Sequence, residues 1–551
     1  MGALRDAAFL SILVTLIALA GLVPWAFAAT ARRRDRGGWL EAGIVLALTV
    51  GAFALRWGLP FHTLIHENHH GYTYVTSLTV LDARVDLFGV PSSFLVLFHL
   101  ANRVLPVSDE NLFLLNALAS AAGVGAMYVL ARAVFGSRLA AWTSATVLLL
   151  LPVAIGFAPT EEPAVLATGF FLWGAALAWR GARDRRFLLF VTGALLVAVA
   201  ASVRDLFLLL ALTLPLLLAT GDRGAWRERW PTWLAWLALP ALLLVPRALL
   251  LASLAARCAN VPCGLVGTSM LFGEGRWIEW APPLVPAWVT LAAGVALVWL
   301  GLRALRTRAW RVFGAVAGML LVARVLGDLV NGGWFPSQFR YRYLELSLLA
   351  LPVGWLADRG LGGGVSRGGA RAWLAFAAAP LAGVVTLALA PEGARLDLPV
   401  VQEYRFFRDA LGGLEERARF VSFDVAGQTI APVTEGWLAT VRPAWEVVKS
   451  DAWVRGERGD PGLPTYLLLD RTCFTRAHCQ IGDDECGRAV ATPRGRMSER
   501  CARVLESSRW EVVAEAPVRP TALAHLSALG GQPLDLPGFD AEVRIAILRA
   551  K

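Results

Sequence analysis

Apolar residues come in long runs up to about residue 390 of the 551-residue chain, and in shorter runs beyond it. The long runs approach the ~20 residues that carry a helix across a ~30 Å hydrocarbon layer. They predict about twelve spans: 7–29, 39–57, 111–131, 139–157, 163–179, 187–203, 206–220, 232–250, 282–301, 312–328, 343–358 and 372–390. The stretch 187–220 is interrupted only by Arg204 and Asp205. As one helix it would be about 51 Å long at 1.5 Å per residue, far more than a bilayer needs, so two short spans meeting at that pair are expected. Beyond Ala390 an amphipathic helix is predicted over 399–416, with Val401, Tyr404, Phe407 and Leu411 on one face. Short β-rich runs at 418–423, 465–469, 510–514 and 542–548 read as buried strands between Pro/Gly-rich turns. The expected fold is an α-helical polytopic membrane protein over 1–390, with a loop at 58–110, followed by a soluble α/β domain over 391–551.

Composition agrees: 56% of residues are hydrophobic and 17% charged, against about a quarter charged in soluble domains. The net charge of +10 does not imply nucleic-acid binding, because no basic stripe with interleaved aromatics is present. Almost all the basic residues are arginine, Lys449 and Lys551 being the only lysines, and they gather in short connections. With even-numbered connections outside, the six inner loops hold twenty arginines in 57 residues and the outer ones nine in 111, which fixes the orientation. Ala26-Phe27-Ala28 has the form of a signal-peptide cleavage site. Cleavage would leave Arg32, Arg33, Arg34 and Arg36 outside and invert every later loop, so a retained first span with both termini outside is expected. All six cysteines (Cys258, Cys263, Cys473, Cys479, Cys486, Cys501) then lie on the oxidising side. The last four lack the tight C-x2-4-C pair of structural zinc, which favours disulfides of unassigned pairing.

Polar groups at the outer ends of spans are the place to look for chemistry, since they are costly near lipid unless paired or functional. Ile65-His66-Glu67-Asn68-His69-His70-Gly71-Tyr72 follows the second span, and four of the seven histidines lie in 62–70. A single histidine there reads as an interfacial polar residue; the cluster around Glu67 reads as a site. Thr160-Glu161-Glu162-Pro163 closes the five-residue connection 158–162, where the carboxylates either cap the next helix or act on substrate. Arg204, Arg340 and Arg342 supply fork-shaped guanidinium groups suited to a phosphate. The C-terminal region has no Gly-rich phosphate loop and no Ser/His/Asp arrangement, and reads as a lid or docking module.

The segment from Tyr128 to Ala140, Leu151-Pro152 followed by Glu161-Glu162-Pro163, and Arg340-Tyr341 with Arg342-Tyr343 opening a span that contains Leu351-Pro352 are similar to elements of a known family. Over roughly 40–360 the chain resembles the GT-C class of polyprenyl-phosphate-sugar-dependent glycosyltransferases, which includes protein O-mannosyltransferases and the aminoarabinose transferase of lipid A. That family usually places an aspartate, often Asp-Glu, in the first outer loop. Here Glu67 lies among histidines, and Asp82 and Asp86 are the alternatives. The resemblance implies a bacterial cytoplasmic-membrane enzyme with its site and C-terminal domain on the outer face. It implies transfer of a sugar from a polyprenyl-phosphate donor to a glycan, lipid or protein hydroxyl, with inversion. Glu67 would be the base, with Asp82, Asp86, Glu161 and Glu162 as alternatives. His66, His69, His70, Tyr72, Arg204, Arg340 and Arg342 would bind substrate. No cofactor is required; a divalent metal on the histidines is compatible.

Two other readings compete. His66-Glu67-Asn68-His69-His70 contains H-E-x-x-H, the pattern of a membrane zinc protease, but Gly71 closes the segment and no third ligand is marked. A transporter or assembly protein for surface glycans would carry charges inside its helices, where Arg324 is the main instance.

Overall fold

The structure, a computed structural model, describes residues 2–31, 36–63, 91–106, 110–221, 226–257, 284–307, 310–331, 342–365, 370–422, 442, 444–457, 462–474, 488–521 and 542–551. Each expected span appears as helix. They are α1 (Gly2–Ala31), α2 (Arg36–Gly58), α4 (Glu110–Phe135), α5 (Arg138–Leu150) with the short α6 (Pro152–Gly156), α7 (Pro163–Asp184) and α8 (Phe187–Ala201). A 3-10 turn over Asp205–Leu212 leads into α9 (Thr213–Gly221). Then come α10 (Trp226–Arg257), α11 (Ala287–Thr307), α12 (Trp310–Asn331), α13 (Tyr343–Leu348) with α14 (Ala350–Val365), and α15 (Ala370–Leu389). Among the described residues seven helices are long and apolar enough to cross a membrane, and five shorter apolar ones accompany them. The protein is a multi-pass integral membrane protein.

Lipid is as apolar as leucine, so helices associate through close packing of small residues rather than through hydrophobic exclusion. The α7–α8 hairpin shows this. A Cβ on Gly193 would lie 2.4 Å from the Ala178 nitrogen, and one on Gly181 would lie 2.4 Å from that of Phe190. The break at Arg204-Asp205 is real: α8 ends at Ala201, and its last carbonyls are taken up by a helix inside the 58–110 stretch, α3 (Ser93–Val104). The hydroxyls of Ser92 and Ser93 donate to the carbonyls of Val203 (2.6 Å) and Val199 (2.9 Å), and the Ser93 amide donates to Ser202 (3.1 Å).

After α15, the single turn α16 (Pro391–Arg395) and the amphipathic α17 (Pro399–Leu411) lead into a five-stranded mixed sheet of order β2-β1-β3-β7-β6. Its strands are β1 (Arg419–Ser422), β2 (Glu446–Lys449), β3 (Thr465–Leu469), β6 (Trp510–Val518) and β7 (Val543–Ala550). β1 runs parallel to β2 and β3, whereas β7 is antiparallel to both β3 and β6. The hairpin of β4 (Ala489–Thr492) and β5 (Gly495–Ser498) stands apart. Helix α18 (Ser450–Val454) follows β2, and α19 (Glu499–Glu506) follows β5. Strand β3 is buried throughout, as its central position requires. Cys473 and Cys501 form a disulfide between the turn after β3 and α19. Disulfide chemistry therefore holds for these two; Cys258, Cys263, Cys479 and Cys486 lie outside the described residues.

The sheet domain is seated on the bundle where α16 meets α6. A Cβ on Gly156 would stand 2.7 Å from the Gly393 carbonyl and 3.2 Å from the Leu396 Cβ. Gly156→Leu is therefore expected to loosen this seat, at an overpacking cost of about 1–3 kcal/mol. A lowered unfolding midpoint in detergent micelles, with faster protease cleavage between Ala390 and Pro399, is the expected readout. An unchanged midpoint and cleavage rate would show that the contact carries no strain.

Candidate functional site

The polar groups gather at the end of the bundle where the sheet domain sits. Their arrangement begins with a break. Pro152 has no N–H to return to the Leu148 carbonyl, and Leu151 is extended at φ −70°, ψ 119°. The last carbonyls of α5 therefore lack helical partners. The guanidinium of Arg56, near the end of α2 and fully buried, fills that gap. It donates to the carbonyls of Leu148 (3.0 Å) and Leu149 (3.3 Å), and through Nε to the Ser120 hydroxyl (2.7 Å). A cation at a helix C-terminus is also favoured by the helix dipole. Ser120 Oγ lies 3.0 Å from the Tyr343 hydroxyl, which also reaches the Ala154 carbonyl at 3.4 Å. Arg56, Ser120 and Tyr343 thus tie α2, α4, α6 and α13 into one buried knot.

Tyr343 anchors the residue before it. Arg342 forms a forked pair with Glu345, Nε to Oε2 at 2.9 Å and Nη2 to Oε1 at 3.0 Å. Arg324 of α12 reaches the same carboxylate at 3.5 Å. Two guanidinium groups around one carboxylate leave the cluster with a formal net positive charge. It heads a groove of about 610 Å³, whose walls include Leu297, Val298, Phe313, Ala317, Leu320 and Leu349. The groove runs from Phe313 to Arg324, about 16 Å at 1.5 Å per residue. Val298, Leu302 and Leu321 are exposed along it, so it opens on the apolar flank of the bundle.

The second candidate place lies next to the knot. Thr160, Glu161 and Glu162 are fully buried. Asn116 of α4 donates to the carbonyls of Thr160 (2.6 Å) and Glu162 (3.0 Å). Glu162 is the N-cap of α7, accepting the Ala164 amide at 3.0 Å, so capping, one of the two roles open to this pair, is seen in Glu162. Thr63 pairs with Thr160 as an isolated parallel bridge, its amide donating to the Pro159 carbonyl at 3.2 Å. The entry to the 63–109 stretch is thereby fixed against the Glu161-Glu162 connection.

Just before Thr63, His62 bonds Glu110 at 2.8 Å through Nδ1 and the Trp57 carbonyl at 2.9 Å through Nε2. Burial lowers its pKa, but the Glu110 and Trp57 hydrogen bonds and the Glu110 charge outweigh burial and the opposing Arg408, leaving it raised above 6.5. The Arg405 guanidinium of α17 stacks 3.8 Å from the centroid of Phe61, which brings the sheet domain to the same place.

The structure thus brings Arg342, the Glu161-Glu162 connection and the entry of the 63–109 stretch together at one end of the bundle. Arg204 stands on a different junction, the end of α8, as N-cap of the 3-10 turn that packs on α12. Arg340 lies outside the described residues, as do His66, Glu67, His69, His70, Tyr72, Asp82 and Asp86, and with them the H-E-x-x-H pattern. Among the described residues no group of three or more His, Cys, Asp or Glu is placed to hold a metal ion. Glu345, Arg56, Ser120 and the His62–Glu110 pair are additions that the sequence pattern did not single out.

The bundle, broken at α5–α6 and α13–α14 and followed by a mixed sheet domain, has an ArnT-like fold. The chain is similar to ArnT from Cupriavidus metallidurans. The apo structure matches with a TM-score of 0.53 and 14% identity, over 93% of this chain and 98% of that one. The structure bound to undecaprenyl phosphate matches with a TM-score of 0.50 and 15% identity, over 94% and 98%. No protein-family model matches the chain, and no curated protein is similar to it in sequence. At such identity the likeness is one of fold.

Proposed function

We propose that this protein is a glycosyltransferase that moves a sugar from a polyprenyl-phosphate donor to an acceptor hydroxyl at the outer face of a bacterial cytoplasmic membrane. The observation that carries the reading is the Arg324–Glu345–Arg342 cluster at the head of an apolar groove that opens on the bundle's flank. A charged head above an open apolar groove matches the two halves of a lipid phosphate. The ArnT-like fold supports it, and one ArnT structure is bound to undecaprenyl phosphate. In the proposed reaction the acceptor oxygen attacks the anomeric carbon opposite the phosphate and loses its proton to Glu67. The bond from the anomeric carbon to the phosphate oxygen breaks, and the electron pair leaves on the lipid phosphate. Arg342 and Arg324 stabilise that charge. The configuration inverts, and no general acid is needed because phosphate already leaves well.

The test is release of free polyprenyl phosphate from a panel of polyprenyl-phosphate sugars, with the full chain in lipid nanodiscs and cell-envelope extracts as acceptor. Release from at least one donor is expected. Ala317→Trp, which fills the groove, is expected to raise the KM for that donor roughly tenfold with kcat little changed, the mark of lost uniform binding. Folded protein that releases nothing from any donor overturns the proposal.

A further inference from the structure

His62 lies outside the lipid-phosphate machinery, yet its surroundings are built around it. One ring nitrogen faces a carboxylate, Glu110 Oε2, and the other faces the Trp57 carbonyl. Neutral imidazole carries one N–H, whereas imidazolium carries two. With Glu110 ionised, only the imidazolium satisfies both partners. The ring also packs at a tilt against Trp57, centroids 3.9 Å apart, and near Phe113, so it has aromatic neighbours as well as polar partners at its edges.

Its place in the chain gives the pair leverage. His62 follows α2 and Glu110 opens α4, so the pair joins the two ends of the 63–109 excursion. Thr63, the next residue, is bridged to Thr160 beside Glu161 and Glu162. Phe61, the residue before, carries Arg405 of α17. The charges that act on the ring are Glu110 on α4 and Arg408 on α17; Arg405 lies over the neighbouring Phe61, and Glu161 and Glu162 belong to the connection paired with Thr63.

We propose that the His62–Glu110 pair is a positioning clasp for the transfer reaction, holding the entry and exit of the 63–109 excursion together and against the Glu161-Glu162 connection while the pair keeps its proton. The proposal rests on the glycosyltransferase reading only for its effect on turnover; the clasp itself is testable without substrate. Because the folded pKa is raised above 6.5, the stabilisation is fully present below pH 6.5 and is lost as pH rises through the folded value. Turnover is expected to fall on that alkaline limb.

The experiment uses the full chain in nanodiscs. The His62 ring is titrated by NMR, its signal assigned by its loss in His62→Gln, beside pH profiles of donor turnover for wild type, His62→Gln and Glu110→Gln. A His62 midpoint above 6.5 that drops in Glu110→Gln is expected. In turnover, His62→Gln is expected to lower kcat about tenfold, as loss of one charge-assisted hydrogen bond can do, with donor KM unchanged and the alkaline limb gone. Glu110→Gln should shift that limb to lower pH. A midpoint at or below 6.5, or one indifferent to Glu110, would sink the clasp. So would an alkaline limb unchanged in both variants of an active, folded protein, since a purely structural pair lowers stability but leaves the profile alone. Should the titration behave as expected while no donor turns over, the clasp stands and the glycosyltransferase reading fails.

Discussion

Glu67→Gln is expected to cut release of polyprenyl phosphate by about 10²–10⁴-fold, the range for loss of a general base. The acceptor hydroxyl must lose its proton as it attacks, and glutamine keeps the shape of glutamate while removing its basicity. The expected loss is in kcat, with donor KM nearly unchanged, because the amide still fits where the carboxylate stood. Glu67 comes five residues after His62, whose neighbour Thr63 is bridged to the Glu161-Glu162 connection. Among the alternative carboxylates, Glu162 already accepts the Ala164 amide as a helix cap. Its replacement by alanine is expected to cost about 1 kcal/mol of stability rather than the reaction. Turnover that survives Glu67→Gln within about threefold would move the base to Asp82, Asp86 or Glu161 while leaving the donor class intact.

Hydropathy carried most of the fold. A lipid-spanning helix must be apolar along its whole length, so its signal is strong, and all twelve expected spans appear as helix. The longest helix missed, Ser93–Val104, is short and amphipathic and carries His99, Asn102 and Arg103, so it read as part of an outer loop. In the sheet domain the four-residue strands β2, β4 and β5 are exposed or half-buried for much of their length and show no sustained apolar run, whereas β1, equally short but buried, and the buried β3 and β7 announced themselves.

The site was legible only in part, and the reason is distance along the chain. Arg342-Tyr343 was visible as a motif, but its meaning came from Ser120, 223 residues away, which holds Tyr343. Arg56 looked like the charged end of a span. The broken end of α5 that it caps, 92 residues on, cannot be read from its own neighbourhood. A lone arginine inside or beside a span was the available signal, because such a charge needs a partner in lipid. Glu345 offers no such signal, since an acidic residue in a helix's first turn usually serves the helix dipole. Here it faces two guanidinium groups instead.

That carboxylate shapes the second large prediction. Arg342→Gln is expected to lower donor turnover by about 10²–10³-fold, the scale for removing one preorganised donor from a developing negative charge. Two of the five N–H donors of Arg342 are committed to Glu345, which fixes the plane of the guanidinium and spares its reorganisation when charge appears. Arg342→Lys keeps the charge but loses the fork, so an intermediate loss is expected, and Glu345→Gln should loosen the same plane with a smaller fall in kcat. The order Gln below Lys below Glu345→Gln, measured as kcat for polyprenyl-phosphate release, separates fixed geometry from net charge. If Arg342→Gln stays within threefold of wild type while Arg324→Gln abolishes turnover, the phosphate rests on α12 instead. If neither substitution matters, the head of the groove is not where the donor binds.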